Sequence, residues 1–209
     1  FCESINADVD GMLGGFAHIT KVDLQGSRNF LVKLGIGQKK GLRIVKNALE
    51  GGAGVTEGLT IEVAEHVDVI ETVAKFTAGL QGKRSVRSIF NQGLEDWQQP
   101  TTDTQYDLIW VQWCVGHLTD EQLVPFLEQC GAALSSDGVI VVKENNSTTG
   151  EDDFDEVDSS VTRYGGCETE GPLAAANLQL VRVELQKGFP SSRSVRLLPV
   201  GMYALKPSN

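Results

Sequence analysis

The sequence predicts an α/β protein built on a seven-stranded, mostly parallel sheet with one antiparallel strand. Short apolar runs alternate with segments of helical periodicity from residue 23 to residue 142, as is typical of parallel strands joined by helices. The last two apolar runs are joined by a long connection instead, which predicts antiparallel pairing. With 209 residues, 41% of them hydrophobic, the chain can form one domain over residues 1–209.

Composition narrows the classes of partner. The formal charge of −10 and the pI near 4.8 disfavour nucleic acid, which requires a basic surface, and favour a cationic ligand. No apolar run approaches the roughly 18 residues of a membrane span, so we expect no membrane partner and a cytoplasmic protein, with the nucleus as a second location. Neither a zinc site nor a disulfide framework is indicated by the widely spaced cysteines, which are Cys2, Cys114, Cys130 and Cys167.

The chain begins with a segment that lacks a sustained period. Residues 1–16 carry glycines and a few apolar side chains, which predict either a cap over the core or a flexible leader. Helical spacing follows over residues 23–34, with Ser27 as a candidate N-cap. Residues 42–49 are the first predicted strand, so residues 1–34 precede the sheet as an N-terminal cap.

A glycine-rich turn follows the first strand. The letters EGGAG at residues 50–54 lead into a helix predicted to end at Ala64, and such a turn lets backbone approach a nucleotide-like ligand. The signal is weak, because the full G-x-G-x-x-G fingerprint is absent. Glu71 closes the second strand, residues 67–70, and is placed to accept ribose hydroxyls. The alternative for Glu71 is a solvated strand end.

The third strand, residues 86–90, follows a helix predicted over residues 74–80. Its exit carries the letters GLEDW at residues 93–97. In open α/β folds this exit lies beside a bound nucleobase, where an apolar and a polar side chain can contact the ring. Trp97 is equally consistent with a core position.

The fourth strand, residues 106–111, is apolar enough to be covered on both faces. Polar and aromatic side chains then follow within a few residues, namely Gln112, Trp113 and His117. Ligands of open α/β sheets bind at such carboxyl ends, which predicts a site. The alternative is a core tryptophan and an ordinary loop histidine. Thr119, followed by two acids and an apolar-periodic run, predicts the start of a helix over residues 120–134.

The C-terminal third contains the remaining strands and an acidic run. Residues 139–142 form a clear fifth strand that ends in the polar letters KEN. The run GEDDFDEVDSS at residues 150–160 is either a solvated face or, if helical, a turn with Asp155 and Asp158 on one side. Residues 180–185 and 202–205 are the last two predicted strands.

Five motifs then carry a family resemblance. They are DGMLGGF (10–16), IWVQW with GHLTD (109–120), VVKEN (141–145), DEVDSSVTR (155–163) and QKGFP (186–190). Together they resemble the protein α-N-terminal methyltransferase family nearly from end to end. The resemblance implies a class I, Rossmann-like, S-adenosylmethionine-dependent enzyme that methylates the α-amine of proteins beginning with Xaa-Pro-Lys or Xaa-Pro-Arg, and that releases S-adenosylhomocysteine.

The resemblance also implies roles for individual residues. Around the cofactor it places Gly52, Gly54, Glu71, Leu94, Glu95 and Gln112. Around the substrate peptide it places Leu13, Ile19, Trp113, Asp155 and Ser160, so that residues 1–34 cap the substrate side. It implies His117 and Asp158 as bases and Asn145 as a positioning group.

These residue types suit the chemistry. An N-terminal amine has a reference pKa near 7.7–8.0, so a substantial fraction arrives protonated and a base must remove the proton. Histidine and aspartate can accept it, and an asparagine can align the amine. Trp113 offers a flat surface to a proline ring, and Asp155 a counter-charge to a third-position lysine.

The sequence departs from the family pattern at the glycine turn. The family reads roughly GAGIGR, whereas here GAG continues directly into Val55, without the arginine that would pair with the cofactor carboxylate. Phe1-Cys2 also stands in place of Tyr-Trp. Two alternatives therefore stay open, a non-catalytic peptide-binding relative with a damaged cofactor loop and a small-molecule methyltransferase.

Overall fold

The computed structural model describes residues 19–101, 103–164, 172–189 and 197–208. The predicted cap or leader at residues 1–16, and Leu13 within it, lie outside the described residues. In the part that the structure describes, no helix is both long and apolar enough to cross a membrane.

The described residues form one large sheet and one small hairpin. The strands are β1 Val45–Gly51, β2 Ala64–Ile70, β3 Val86–Phe90, β4 Tyr106–Gln112, β5 Leu134–Asn145, β6 Asp153–Asp155, β7 Ser160–Thr162, β8 Leu178–Leu185 and β9 Val200–Pro207. The α-helices are α1 Thr20–Lys33, α2 Ile61–Val63, α3 Ala74–Thr77, α4 Asp120–Ala133 and α5 Pro172–Ala175. Single 3-10 turns cover Ala53–Val55, Ala78–Leu80 and Val115–His117.

The sheet has seven strands in the order β3-β2-β1-β4-β5-β9-β8. β9 is antiparallel to both of its neighbours, so β8 at the edge runs parallel to the other strands. The predicted seven-stranded, mostly parallel sheet with one antiparallel strand is therefore confirmed. The strand order reverses between β1 and β4, and the crevice at their carboxyl ends is where an open sheet of this kind binds ligands.

Side-chain alternation along β4 shows that both faces of the sheet are covered. Leu108 and Trp110 belong to one buried hydrophobic cluster, while Ile109 and Val111 belong to a second. Because successive strand residues point to opposite faces, each cluster fills the space between one face and its helices. The apolar run that predicted a strand covered on both faces is thus confirmed.

The start of α1 differs from its prediction. The helix begins at Thr20, and Ser27 lies inside it, fully buried. The Ser27 hydroxyl donates to the Asp23 carbonyl oxygen at 3.0 Å and accepts from Lys143 Nζ at 2.8 Å. Ser27 is therefore a buried contact between the helix and the sheet, and the prediction of an N-cap was wrong.

Two further predictions need correction. A single helix was expected between the glycine turn and Ala64, but the chain forms a 3-10 turn, a π-turn over Thr56–Thr60 and the short α2. The acidic run is solvent-exposed over residues 150–157, as its first interpretation expected, but it forms the β6–β7 hairpin and not a helical turn, with Asp155 opposite Ser160. Asp155 and Asp158 accept backbone N–H groups two residues ahead, and such local bonds favour turns over helix.

The start of α4 follows the sequence prediction. Thr119 and Gln122 form a capping box, in which the Gln122 side chain accepts from the Thr119 N–H at 3.0 Å. Asp120 and Glu121 occupy the first turn, where acidic side chains stabilise the positive end of the helix dipole.

A buried ion pair joins α1 to the sheet. Lys143 Nζ on β5 lies 2.5 Å from Asp23 Oδ1 on α1, and both side chains are almost completely buried. Lys143 also donates to Gln186 Oε1 at 3.0 Å, in the segment after β8. A side chain at Gly26 would overlap Gln186, so α1 can approach this segment closely because residue 26 is glycine.

We expect Asp23→Ala to destabilise the protein by about 3–5 kcal/mol, because it leaves the Lys143 ammonium buried and unpaired. Urea-induced unfolding checks the loss. Lys83→Ala is the matched control, because it breaks the more exposed Lys83–Glu57 pair and should cost about 0–1 kcal/mol. An equal decrease in the free energy of unfolding in both variants would show that the buried pair does not anchor α1.

Candidate active site

The glycine turn after β1 lies at the carboxyl edge of the sheet, as predicted. Gly52 has φ of +81°, and a Cβ atom there would lie 3.3 Å from the Gln112 carbonyl oxygen. A side chain would therefore be both strained and crowded at this position. At Gly54 a Cβ would meet no heavy atom within 4 Å, so the outer side of the turn is open to a ligand.

Glu71 lies beside this turn. One carboxylate oxygen accepts from the Ala53 N–H at 3.1 Å, and the other accepts from the Val73 N–H at 2.9 Å. The Asn91 amide donates to the Glu71 carbonyl oxygen at 3.0 Å and holds the segment after β2 in place. The Thr72 hydroxyl also donates to this carboxylate, at 3.3 Å, and a carboxylate can accept about four hydrogen bonds, so Glu71 retains capacity for one more donor such as a ribose hydroxyl.

The exit of β3 contributes an apolar wall. Leu94 is buried, and a Cβ at Gly51 would lie 3.1 Å from its Cδ2 atom. Glu95 is exposed at the same exit. Trp97 instead packs in the core, with its ring centre 6.3 Å from that of Tyr106 and 6.5 Å from that of Phe126. The core alternative for Trp97 is therefore the correct one.

The Gln112 side chain faces α1. Its Nε2 donates to Asp23 Oδ2 at 2.9 Å, and its Oε1 accepts from Trp110 Nε1 at 3.0 Å. The side chain is thus part of the buried network that holds α1. The backbone carbonyl of Gln112, and not this side chain, is the group that lies beside Gly52. Direct binding of the cofactor by its side chain stays a prediction.

Trp113 and the turn after it carry several predicted substrate contacts. Trp113 has φ of +52°, in the left-handed region that non-glycine residues rarely adopt. Its backbone N–H donates to the Lys143 carbonyl oxygen at 3.1 Å, while its buried indole Nε1 has no partner among the described residues. Strained backbone of this kind is concentrated at binding sites. His117, on the 3-10 turn that follows, is exposed.

The β6–β7 hairpin packs against the turn that carries His117. A Cβ at Gly116 would lie 3.0 Å from the Val161 carbonyl oxygen. Arg163, just after β7, donates to the Val115 carbonyl at 3.1 Å and to the Leu118 carbonyl at 2.8 Å. The guanidinium also pairs with Asp120 Oδ1 at 2.8 Å.

These contacts bring together two motifs that are distant in sequence, GHLTD (116–120) and DEVDSSVTR (155–163). Asp158 and Ser160 are half-buried on the hairpin, and the Asp158 carboxylate accepts from the Ser160 N–H at 3.0 Å. Asp155 on the same hairpin is exposed. Asn145 is half-buried at the end of β5, and Ile19 is buried immediately before α1. The roles assigned to these residues stay predictions.

Glu144 is a buried carboxyl that the sequence did not single out. Its Oε1 accepts from the Asn145 N–H at 3.0 Å, and its buried Oε2 has no hydrogen-bond partner among the described residues. Burial raises the pKa of Glu144 to about 7, although nearby backbone N–H groups and Arg163 oppose the rise. The signal available in sequence was its position in the polar end of a buried strand.

Glu50 is the second such carboxyl. It is fully buried, and it accepts from the Thr60 hydroxyl at 2.5 Å, the Thr56 hydroxyl at 2.9 Å and the Val55 N–H at 3.2 Å. Burial raises the pKa of Glu50 to about 7 in spite of these bonds. The two threonines, four residues apart after the shortened glycine turn, were the available signal.

The Cys114 thiol is the third buried titratable group near the glycine turn. Its thiol donates to the Gly51 carbonyl oxygen at 3.3 Å, and burial, followed by the charges of Glu144, Glu71 and Glu50, raises its pKa. We call Glu50, Glu71, Glu144 and Cys114 the floor of the site, and this floor is acidic. Such a floor favours a ligand that carries positive charge.

The sequence of this chain matches a known protein family over almost its whole length. A family model described as AdoMet dependent proline di-methyltransferase matches residues 1–206. The chain belongs to this family. It is therefore an S-adenosylmethionine-dependent methyltransferase, as its motifs predict.

Named relatives agree with this membership. Alpha N-terminal protein methyltransferase 1 of Schizosaccharomyces pombe is 42% identical, over 99% of this chain and 93% of its own length. The human N-terminal Xaa-Pro-Lys N-methyltransferase 1 is 37% identical, over 91% of this chain and 86% of its own.

Solved structures show the same fold. A SAM-dependent methyltransferase from Leishmania major superposes with a TM-score of 0.84 and 31% identity, covering 98% of this chain and 80% of its own. DhpI, solved as a complex with SAH, has a TM-score of 0.63 at 16% identity, covering 93% of this chain and 89% of its own, and shows the fold alone.

The residues present fit S-adenosylmethionine. The open turn at Gly54 gives room for close approach, Glu71 retains acceptor capacity, and Leu94 supplies an apolar wall. The acidic floor complements a sulfonium charge. The turn is shorter than the family pattern, and Glu71 stays bonded to it through the Ala53 N–H at 3.1 Å.

We expect Glu71→Ala to weaken S-adenosylmethionine binding by roughly 1.5–3 kcal/mol, because it removes charge-assisted hydrogen bonds to the ribose. Isothermal titration calorimetry measures the change. Glu65→Ala is the matched control, since Glu65 is exposed at the opposite end of β2. Unchanged affinity in Glu71→Ala would move the ribose to another part of the site.

We expect Glu50→Gln to flatten the dependence of stability on pH. Glu50 has its pKa raised from 4.5 to about 7, so the folded protein holds a proton that the unfolded chain releases between these values. The stabilisation is complete below pH 4.5 and is lost as pH rises to about 7. Glutamine cannot ionise, so at pH 8 the free energy of unfolding of the variant should exceed that of wild type by on the order of 3 kcal/mol.

Chemical unfolding from pH 4.5 to pH 8 tests this expectation. Some pH dependence should remain, because Glu144 has a similarly raised pKa. Glu65→Gln, at an exposed position, should leave the curve unchanged. Parallel curves for Glu50→Gln and wild type would contradict the raised pKa of Glu50.

Proposed function

We propose that this protein transfers a methyl group from S-adenosylmethionine to the α-amine of proteins that begin with Xaa-Pro-Lys or Xaa-Pro-Arg. The names of the relatives support this substrate class. The observation that carries the proposal is the packing of the β6–β7 hairpin against the turn that contains His117. Contacts of Arg163 and Gly116 hold the hairpin, which carries the carboxylates, against the turn that carries His117.

The reaction requires a free amine lone pair beside an activated methyl group. S-adenosylmethionine, when bound, supplies that methyl group as an electrophilic sulfonium. The residues of the chain act on the amine. His117 or Asp158 takes the proton of the ammonium and passes it to solvent, since one is exposed and the other half-buried. Asn145, held at the end of β5, aligns the amine.

The substrate side suits a proline followed by a cation. The Trp113 ring offers a flat apolar surface to the proline, and its indole N–H can donate to a peptide carbonyl. Asp155 is exposed on the hairpin and has no ion-pair partner among the described residues, so its carboxylate is available to the third-position lysine or arginine.

Mass spectrometry after incubation with S-adenosylmethionine tests the substrate class. A peptide that begins with Ser-Pro-Lys should be methylated, and its N-acetylated form should not, because acetylation removes the nucleophile. Replacing the lysine by glutamate should abolish turnover by placing like charge against Asp155. Methylation of the glutamate peptide at an equal rate would show that the hairpin carboxylates do not select the substrate. Binding of peptide without any methylation would instead identify a non-catalytic relative.

We expect His117→Ala and Asp158→Asn each to lower turnover by about 10²–10⁴-fold, the usual cost of losing a general base. Cofactor affinity, measured by calorimetry, should hardly change. A higher pH supplies free amine, so the His117→Ala defect should shrink between pH 7 and pH 9. Asp158→Asn should recover less, because its carboxylate also holds the amine.

The pH profile separates two roles for His117. If its variant shows a defect that is independent of pH, and if peptide affinity falls in proportion, then His117 is a wall of the peptide channel. The base would then be Asp158 or a water molecule that it orients.

A further inference from the structure

The β6–β7 hairpin exposes apolar side chains next to the proposed site. Val157 is 73% exposed and Phe154 is 61% exposed, the two highest values among the large apolar residues that the structure describes. Single exposed apolar residues are common on protein surfaces. A phenylalanine and a valine three residues apart on one fixed hairpin form a surface that can bind a partner.

The hairpin is fixed, so these side chains have a defined place. Arg163 ties its second strand to the Val115 and Leu118 carbonyls and to Asp120. The Ser147 N–H also donates to the Arg163 carbonyl at 2.9 Å. Phe154 is paired with Val161 across the hairpin, and paired residues share one face of a sheet. The backbone carbonyl of Val161 approaches Gly116, so this strand of the hairpin lies against the His117 turn.

A substrate chain that leaves the site is long enough to reach this surface. If its first three residues lie in the site, they span at most about 10 Å of extended chain. The following four residues then cover about 13 Å outside the site. This length is comparable with the hairpin, whose paired strands of three residues each extend about 10 Å.

Charge indicates what kind of segment lies there. Residues 151–158 contain six carboxylates around Phe154 and Val157, and none of them has an ion-pair partner among the described residues. A segment with alternating basic and aliphatic residues would complement both the charges and the apolar side chains.

We propose that Phe154 and Val157 form a contact for residues four to seven of the substrate protein, and that this contact favours a segment of aliphatic and basic residues. The inference rests on the proposed function and deepens it. It predicts that substrate recognition extends past the first three residues, through side chains that take no part in proton transfer.

The test compares the KM of two peptides in wild type and in the double variant Phe154→Ser/Val157→Ser. The peptides are Ser-Pro-Lys-Gly and Ser-Pro-Lys-Gly-Leu-Lys-Leu-Lys-Gly. The double variant should raise the KM of the long peptide by about tenfold and leave the kcat of that peptide unchanged. The kcat and the KM of the short peptide should both stay as in wild type. Val181→Ser is the matched control, because Val181 is 46% exposed on β8, away from the hairpin.

The outcomes are distinguishable. Equal KM changes for both peptides, or no change for either, would overturn the inference and leave the proposed function intact. If wild type methylates neither peptide, the proposed function fails and the inference fails with it. Sedimentation velocity supplies a further check, because a self-association of wild type that the double variant loses would assign the surface to a second copy of the chain and overturn the inference.

Discussion

The buried pair between Asp23 and Lys143 is the interaction on which the site depends. Lys143 lies near the end of β5, beside Gln112 of β4, and its ammonium is held by α1. Burial lowers the pKa of Lys143, and the Asp23 carboxylate opposes this change. Gln112 on β4 accepts from Trp110 and donates to Asp23, which extends the same network across two strands. The helix that precedes the sheet is therefore fixed over the ends of the strands that carry the site.

The segment Lys143–Glu144–Asn145 shows how strand geometry divides one motif among different tasks. Successive side chains of a strand point to opposite faces. Lys143 faces α1, while Glu144 lies on the other side near Cys114 and the turn of Val115 and Gly116. Asn145 follows at the half-buried edge. Helix anchoring, the acidic floor and the proposed positioning group thus come from three consecutive residues.

Negative charge is the common property of the site. The charges of Glu50, Glu71 and Glu144 all raise the pKa of Cys114, and the hairpin carries further carboxylates. Ionising Glu50 and Glu144 is costly, since burial raises both pKa values to about 7. A methyl donor with a sulfonium charge and a substrate with an ammonium group are the ligands that offset this cost. The electrostatics of the site therefore agree with membership of a methyltransferase family that acts on amines.

The sequence by itself determined what depends on local pattern: the seven strands, the capped start of α4, the glycine turn and Glu71 at the end of β2. Only the tertiary structure decided features whose partners are far apart in the chain. Ser27 bonds to a residue 116 positions away, so its polarity alone suggested a helix cap, and the Gln112 side chain bonds to a residue 89 positions away. The acidic run became a hairpin because Arg163 and the Gly116 turn hold it, and no periodicity within the run encodes those contacts. Local hydrogen bonding and side-chain alternation are written in neighbouring residues, whereas burial and pairing of charge exist only after the chain has folded.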